Sequence, residues 1–537
     1  MADSPTQPTV VIVGGGLAGL AAACALSDSG FRVTVFERRP YLGGRASSYE
    51  HPGTGEIVDN CQHVLFGCCT NLIAFYRVIG IENKIRWFDR MTFIEPGGRQ
   101  SVLEPTFLPA PFHVTPSFLK FKFLSAKDKL LLARSLAALV TSAQLDDGTS
   151  FQDWLIRHHP TSAAIERFWK PILVSALSED LDRIAIPYAA QVVRESMKSP
   201  LARRMGIPTV PLTHLYDGAQ AYISARGGTV HLRNSVQSFL PTERGLQLQL
   251  QDSEEQFDYG VMAVPFDSLT KISANLPGVA ELRDKLAHFE TSPITGVHFW
   301  FDRQITDLPH AVLLDRTIQW MFHKSLLLDR NSQPEAPKMP GAQNAVTDRS
   351  GVIAPNPVSE EPPVLGTANA MPTKNRAPAG RNSLPQDVSP GYAKNEAESR
   401  RDDTSSPSYV ELVISSSKSL INKSRQEIID LALNELREFF PAAREATLVK
   451  ATVIKEVNAT FSPTPGIDQY RPTNQTPWPR IFLAGDWTAT GWPATMEGAV
   501  RSGYLAAEAL TRHAGVARRF LIPDLPAAGL MRLLAGD

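Results

Sequence analysis

Four apolar residues, Val10-Val11-Ile12-Val13, run straight into Gly14-Gly15-Gly16-Leu17-Ala18-Gly19, and an Ala-rich helical stretch follows from about Leu17 to Ser29. Gly30 ends that helix, and Arg32 to Phe36 reads as a second buried strand. The order is that of a βαβ unit. Its glycines permit a tight turn and let the backbone approach a diphosphate. The helix N-terminus offers free N–H groups and partial positive charge to the same anion. Glu37 closes the second strand 21 residues after Gly16, where a carboxylate accepts the hydroxyls of an adenosine ribose. The spacing predicts a dinucleotide site that includes Gly14, Gly15, Gly16, Ala18, Gly19 and Glu37.

NAD and FAD share this fingerprint, and the next segment separates them. Arg38-Arg39-Pro40-Tyr41-Leu42-Gly43-Gly44-Arg45-Ala46 follows the acid directly. It resembles the second glycine motif of the flavoprotein superfamily of amine oxidases and phytoene desaturases. There the glycines lie close to the flavin and the arginine helps to hold it. A guanidinium suits a diphosphate or a flavin edge that becomes anionic on reduction. Far downstream, Ile481-Phe482-Leu483-Ala484-Gly485-Asp486 reads as a buried strand ending in Gly-Asp. Gly491-Trp492-Pro493-Ala494-Thr495-Met496-Glu497-Gly498 then leads into a helix. This is similar to the C-terminal flavin motif of the same superfamily, whose helix dipole favours reduced flavin. The resemblance implies FAD as cofactor. It adds Arg38, Gly43, Gly44, Arg45, Gly485, Asp486, Ala494, Thr495 and Met496 to the binding set, with Val236 beside the adenine.

A chain of 537 residues exceeds one ordinary core, so two or three lobes are expected. The resemblance implies an α/β, amine-oxidase-like fold. In it a discontinuous Rossmann-like FAD lobe (1–95, 215–290 and 445–515) adjoins a mixed-sheet and helical substrate lobe (96–214 and 291–444). Residues 100–215 read as mostly helical. Residues 331–407 carry 12 of the 41 prolines and one aromatic residue, Tyr392. Such a composition buries too little apolar surface to offset its ordering entropy, so a disordered insertion is predicted there.

The 54 basic and 55 acidic residues give a net charge of -1, which argues against a nucleic-acid partner. The four cysteines, Cys24, Cys61, Cys68 and Cys69, lack zinc spacing and suit a reducing cytosol. Cys24 is expected in the core of the first helix. No signal peptide or run long enough to cross a bilayer is evident.

Val58-Asp59-Asn60-Cys61-Gln62-His63-Val64-Leu65-Phe66-Gly67-Cys68 narrows the family. It is similar to the segment found in squalene-associated FAD-dependent desaturases, the hydroxysqualene dehydroxylases, although Cys61 stands where glycine is common in relatives. That resemblance implies reductive removal of the allylic hydroxyl of hydroxysqualene, giving squalene for hopanoid synthesis, with an electron donor to reload the flavin. His63 is the candidate proton donor, with Asp59 and Gln62 orienting it or touching the flavin. The alternative within the superfamily is a carotenoid-type polyene desaturase or isomerase.

A C30 isoprenoid resides in the bilayer. Pro105 to Phe123 is rich in Phe, Leu and Pro, with Lys120, Lys122, Lys127 and Lys129 close by. Apolar side chains beside lysines suit an anionic lipid interface. Arg518-Arg519-Phe520-Leu521-Ile522 offers a second such patch. A cytoplasmic protein attached peripherally to the inner membrane surface is expected.

Overall fold

The computed structural model describes residues 7–142, 145–329 and 407–534. The insertion expected at 331–407 lies outside these residues except for Pro407.

The opening βαβ unit forms as its pattern requires. Thr9–Val13 and Arg32–Phe36 pair in parallel, and Leu17–Ser27 crosses between them. The sheet continues to five parallel strands in the order Thr229–His231, Arg32–Phe36, Thr9–Val13, Tyr259–Met262 and Ile481–Leu483. Every residue of Leu17–Ser27 is buried, Cys24 included. An all-round apolar helix of this kind must be covered on both sides. The sheet covers one flank, and the long helix Met496–His513 packs on the other. The fit is close: a Cβ on Gly503 would overlap the Ala18 carbonyl oxygen. This contact joins two motifs that lie at opposite ends of the sequence.

A second, seven-stranded sheet has the order Leu448–Phe461, Thr291–Phe301, Ser408–Ser415, Trp320–His323, His310–Leu313, Met91–Ile94 and Gln100–Leu103. Its ladders are antiparallel except between His310–Leu313 and Met91–Ile94. Two lobe boundaries differ from the sequence reading. Met91–Ile94 falls inside the expected first FAD-lobe piece but pairs with the large sheet. Leu448–Phe461 falls inside the third piece but runs along Thr291–Phe301. Strand pairing is decided by distant partners, which local pattern does not encode.

Between residues 112 and 197 the chain is mostly helical. Ala126–Thr141 begins with a reciprocal cap. The Ser125 hydroxyl accepts from Asp128 N–H at 3.2 Å, and the Asp128 carboxylate accepts from Ser125 N–H at 2.7 Å. The buried residues of these helices share one core with Phe93, Trp320 and Val413 of the large sheet. Short strands missed by pattern, Leu65–Phe66 and Met205–Pro208, pair with each other and tie this layer to the nucleotide lobe. Among the described residues no helix is long and apolar enough to cross a membrane.

Candidate active site

The two glycine turns are joined directly. Gly43 N–H donates to the Gly15 carbonyl at 2.9 Å, and Gly16 and Gly43 form a parallel bridge. Gly14 holds φ +110°, and a Cβ there would stand 2.5 Å from the Ala263 carbonyl oxygen. Gly16 differs. A Cβ there would meet nothing nearer than 3.8 Å and would project into open cavity. Glu37 sits beside this turn with one carboxylate oxygen accepting from Gly15 N–H at 2.7 Å and the other from Arg39 N–H at 2.8 Å. The two backbone donors fix the carboxylate and leave it lone pairs for a ribose.

From the C-terminal motif, Asp486 meets Arg45 at 2.5 Å, and Arg45 also donates to the Ala459 carbonyl at 3.1 Å. The Thr495 hydroxyl caps Met496–His513 by accepting from Gly498 N–H at 3.1 Å, which leaves the first N–H groups of that helix for a ligand. Arg471, which the sequence did not single out, is the buried pin of this loop. Its guanidinium donates to the carbonyls of Asp486, Thr488 and Trp492 and to the Tyr188 hydroxyl. Arg38, Val236, Ala494, Thr495 and Met496 all line the same cavity as Gly14, Glu37 and Gly44. An open glycine cradle, two uncapped N–H groups and an arginine are donors that could hold a diphosphate, and a fixed carboxylate is an acceptor that could hold a ribose.

The cavity, about 1420 Å³, continues from this cradle into an apolar arm. Met91, Phe93, Phe168, Trp320, Phe322 and Val413 form part of its wall. It reaches the surface beside Phe112, Leu119 and Leu130, all exposed. Gln62 and His63 lie on the wall of this cavity.

The three candidate catalytic side chains are not a linked triad. Asp59 is not on the cavity wall. Its carboxylate accepts from Lys324 Nζ at 2.6 Å, the Ser48 hydroxyl at 2.5 Å and Leu212 N–H at 3.1 Å, and makes no hydrogen bond to His63. Lys324 also donates to Gln62 Oε1 at 2.8 Å, and Gln62 Nε2 donates to the His63 carbonyl at 3.0 Å. Asp59 therefore bears on the wall through Lys324 and Gln62, not by orienting the imidazole. Burial raises the Asp59 carboxyl, but Lys324, Ser48 and Leu212 bring it net below the usual range. Glu411 stands 3.5 Å from Lys324 Nζ and is fully buried. Burial pushes it up to about 8, with Lys324 opposing and Asp59 adding to the rise. The surroundings thus favour the charged forms of Asp59 and Lys324 and the protonated form of Glu411.

His63 Nδ1 lies 2.7 Å from the Cys61 carbonyl, to which it donates. Burial lowers its pKa below the ordinary histidine value. The resting ring is neutral, and Nε2 is an acceptor without a protein partner among the described residues. It must first take up a proton before it can give one.

The patch Arg518 to Ile522 is used otherwise than expected. Phe520 and Leu521 pack on the nucleotide-lobe core, and their N–H groups donate to Glu508 at 2.8 Å. Ile522 N–H donates to Asn71 at 3.0 Å. No group of His, Cys, Asp and Glu suited to a metal occurs among the described residues.

Comparison with known proteins agrees with this geometry. The family described as flavin containing amine oxidoreductase matches residues 17–345 and 356–511. A protein named probable zeta-carotene desaturase from Synechococcus elongatus is 27% identical over 95% of this chain and 99% of its own length. A 15-cis-phytoene desaturase of the same species is 24% identical over 93% of this chain and 95% of its own. Among solved structures, an oxidoreductase from Methanosarcina mazei aligns with a TM-score of 0.63 at 16% identity, covering 92% of this chain and 98% of that one. Cyclohexylamine oxidase from Brevibacterium oxydans aligns with a TM-score of 0.60 at 15% identity, covering 95% and 100%.

Proposed function

The chain belongs to the flavin-containing amine oxidoreductase family and is an FAD-dependent oxidoreductase, and from that premise we propose that it removes the allylic hydroxyl of hydroxysqualene reductively to give squalene. The observation that carries this reading is the single cavity that joins the dinucleotide cradle to a long apolar arm. FAD, when bound, supplies the two-electron reduction. Glu37, Arg45 with Asp486, the glycine turns and the N-terminus of Met496–His513 hold it. The reaction consumes one hydride at the allylic carbon and one proton at the departing oxygen, which leaves as water. Apolar residues of the arm exclude bulk water from the cationic carbon. Gln62, held by Lys324, keeps the wall beside the reacting carbon in one arrangement, and a protonated His63 is the group on that wall able to deliver the proton.

The test is anaerobic incubation of reduced, FAD-loaded protein with hydroxysqualene in detergent, with products identified by mass spectrometry. Squalene formed in proportion to flavin reoxidation supports the reading. Unchanged substrate, with flavin bound and reducible, rejects it.

A second reading is a carotenoid-type desaturase. It is favoured by full-length relatives named as zeta-carotene and phytoene desaturases and by the neutral resting state of His63. Oxidised protein that turns phytoene or zeta-carotene into a more coloured polyene would establish it.

We also propose that the mouth of the cavity docks on an anionic bilayer. Phe112, Leu119 and Leu130 stand exposed there, and Phe107, Lys120, Lys122 and Lys127 are exposed in the same stretch of chain. An apolar substrate then passes from lipid into the arm without crossing water.

A further inference from the structure

Arg203 brings a positive charge into a mostly apolar wall. It lies in the turn between the helix Ile186–Met197 and the strand Met205–Pro208 and lines the cavity. That turn is firmly placed. Gly67 and Cys68 N–H groups donate to the Arg204 and Ala202 carbonyls at 2.9 and 3.1 Å, and a Cβ on Gly67 would overlap the Leu201 carbonyl oxygen. Among the described residues no acceptor bonds the Arg203 guanidinium, and its Nη1 is enclosed without a partner. Asp89, the acid whose charge bears on it, is already paired with Arg204 at 3.0 Å. Burial lowers the guanidinium to about 10. His113, enclosed with both ring nitrogens unpartnered, is depressed to about 4 by burial and then by Arg203. It is held neutral there, and no hydrogen bond joins it to Arg203.

A guanidinium has five donors and no acceptor, so its complement is a hydrogen-bond acceptor or an anion, and a ligand oxygen can serve. The cradle already has its own donors at the glycine turns, Arg45 and the N-terminus of Met496–His513. Asp89 and His113, the groups coupled to Arg203, belong to the segments that carry Met91 and Phe112 of the apolar arm. Arg203 is half-buried, and its enclosed Nη1 lacks an acceptor until a ligand brings one.

We propose that Arg203 is a specificity residue that donates hydrogen bonds to the oxygen of an oxygenated isoprenoid, selecting it over the hydrocarbon of the same skeleton. This rests on the reading of the substrate as a hydroxylated C30 isoprenoid. A site built to bond a hydroxyl rejects the analogue lacking it, because the protein donor is then left buried and unpaired.

The test uses oxidised, FAD-loaded full chain in detergent, in which no reductive turnover occurs. It is titrated with hydroxysqualene and separately with squalene, reading the flavin absorbance change and tryptophan fluorescence. Wild type is expected to bind hydroxysqualene about 10- to 100-fold more tightly. Arg203→Met should erase that preference while keeping squalene affinity and flavin content, and Arg203→Lys should restore part of it. Arg203→Gln, a smaller polar change, provides a second variant if the methionine protein loses flavin. If flavin-loaded variants keep the wild-type preference, Arg203 has no such role and the substrate reading stands. Arg203 is equally excluded if the variants lose only vesicle binding. If wild type binds neither lipid, the substrate reading and this assignment fall together.

Discussion

Lys324 Nζ lies 2.6 Å from Asp59 Oδ2 in a site where both side chains are almost fully enclosed. The pair joins the strand Ile57–Asp59 to the turn after Trp320–His323 and, through Gln62, holds the cavity wall. Removing one member strands the other charge in a dry interior. Lys324→Met should therefore destabilise the FAD-loaded protein by about 3–5 kcal/mol in denaturant unfolding. The double variant with Asp59→Asn should recover part of the loss. Equal loss in single and double variants would show that the ion pair is not the cause.

Glu411 gives the opposite pH signature from a carboxylate whose pKa is lowered on folding, such as Asp59. Its folded pKa is raised to about 8 from an ordinary 4.5. Between those values the folded chain holds a proton that the unfolded chain has released, so stability falls as pH rises through this window. Glu411→Gln, permanently neutral, should remove that contribution and be relatively more stable at pH 8 than at pH 5. Unfolding midpoints across pH 5–8 compare the two proteins, and parallel curves would refute the assignment.

The neutral state of His63 makes the pH–rate profile diagnostic of the direction of proton transfer. If His63 gives a proton to a departing hydroxyl, kcat rises as pH falls below the ordinary histidine range, because its pKa is lowered. If it accepts a proton during desaturation, kcat rises with pH over the same interval. His63→Gln should flatten either limb and cost about 10²- to 10⁴-fold in kcat. A limb unchanged in the variant belongs to another group.

Gly14 and Gly16 should respond differently to alanine. At Gly14, φ +110° and the crowding by Ala263 make the substitution a folding defect, seen as a lowered Tm. At Gly16 the added methyl enters open cavity, so Tm of the apoprotein should hold while FAD affinity drops in a fluorescence titration. Undiminished FAD affinity in Gly16→Ala would remove that turn from the diphosphate site.

Replacing Leu119 and Leu130 together by serine should release the protein from anionic vesicles in a sedimentation assay, with flavin content unchanged. Unaltered partition would discard the cavity mouth as the docking surface.

The nucleotide half of the site was legible because it is built mostly from backbone. Glycines at set positions, a strand before them and Glu37 after them leave a local record. The polar cluster behind the wall left almost none. Asp59, Lys324 and Glu411 come from three distant segments, and only the strand pairing of the large sheet brings the last two together. One signal was available: Glu411 interrupts the apolar run Tyr409 to Ile414, where a carboxylate within a buried strand needs a partner. Arg471 carried no comparable mark, since its partners are mainly backbone carbonyls of a loop.

The contact of Gly503 with Ala18 sets the order in which the molecule can be made. The first helix emerges from the ribosome with every residue destined for burial, yet its cover and the strand Ile481–Leu483 lie about 470 residues later. At about 5–20 residues per second, roughly 25–90 seconds separate the two. During that interval the apolar helix lacks its cover, and the sheet keeps an open edge, at Tyr259–Met262 once that strand has paired. Chaperone shielding of the growing chain, and cofactor loading as a late post-synthetic event, follow from that single helix crossing.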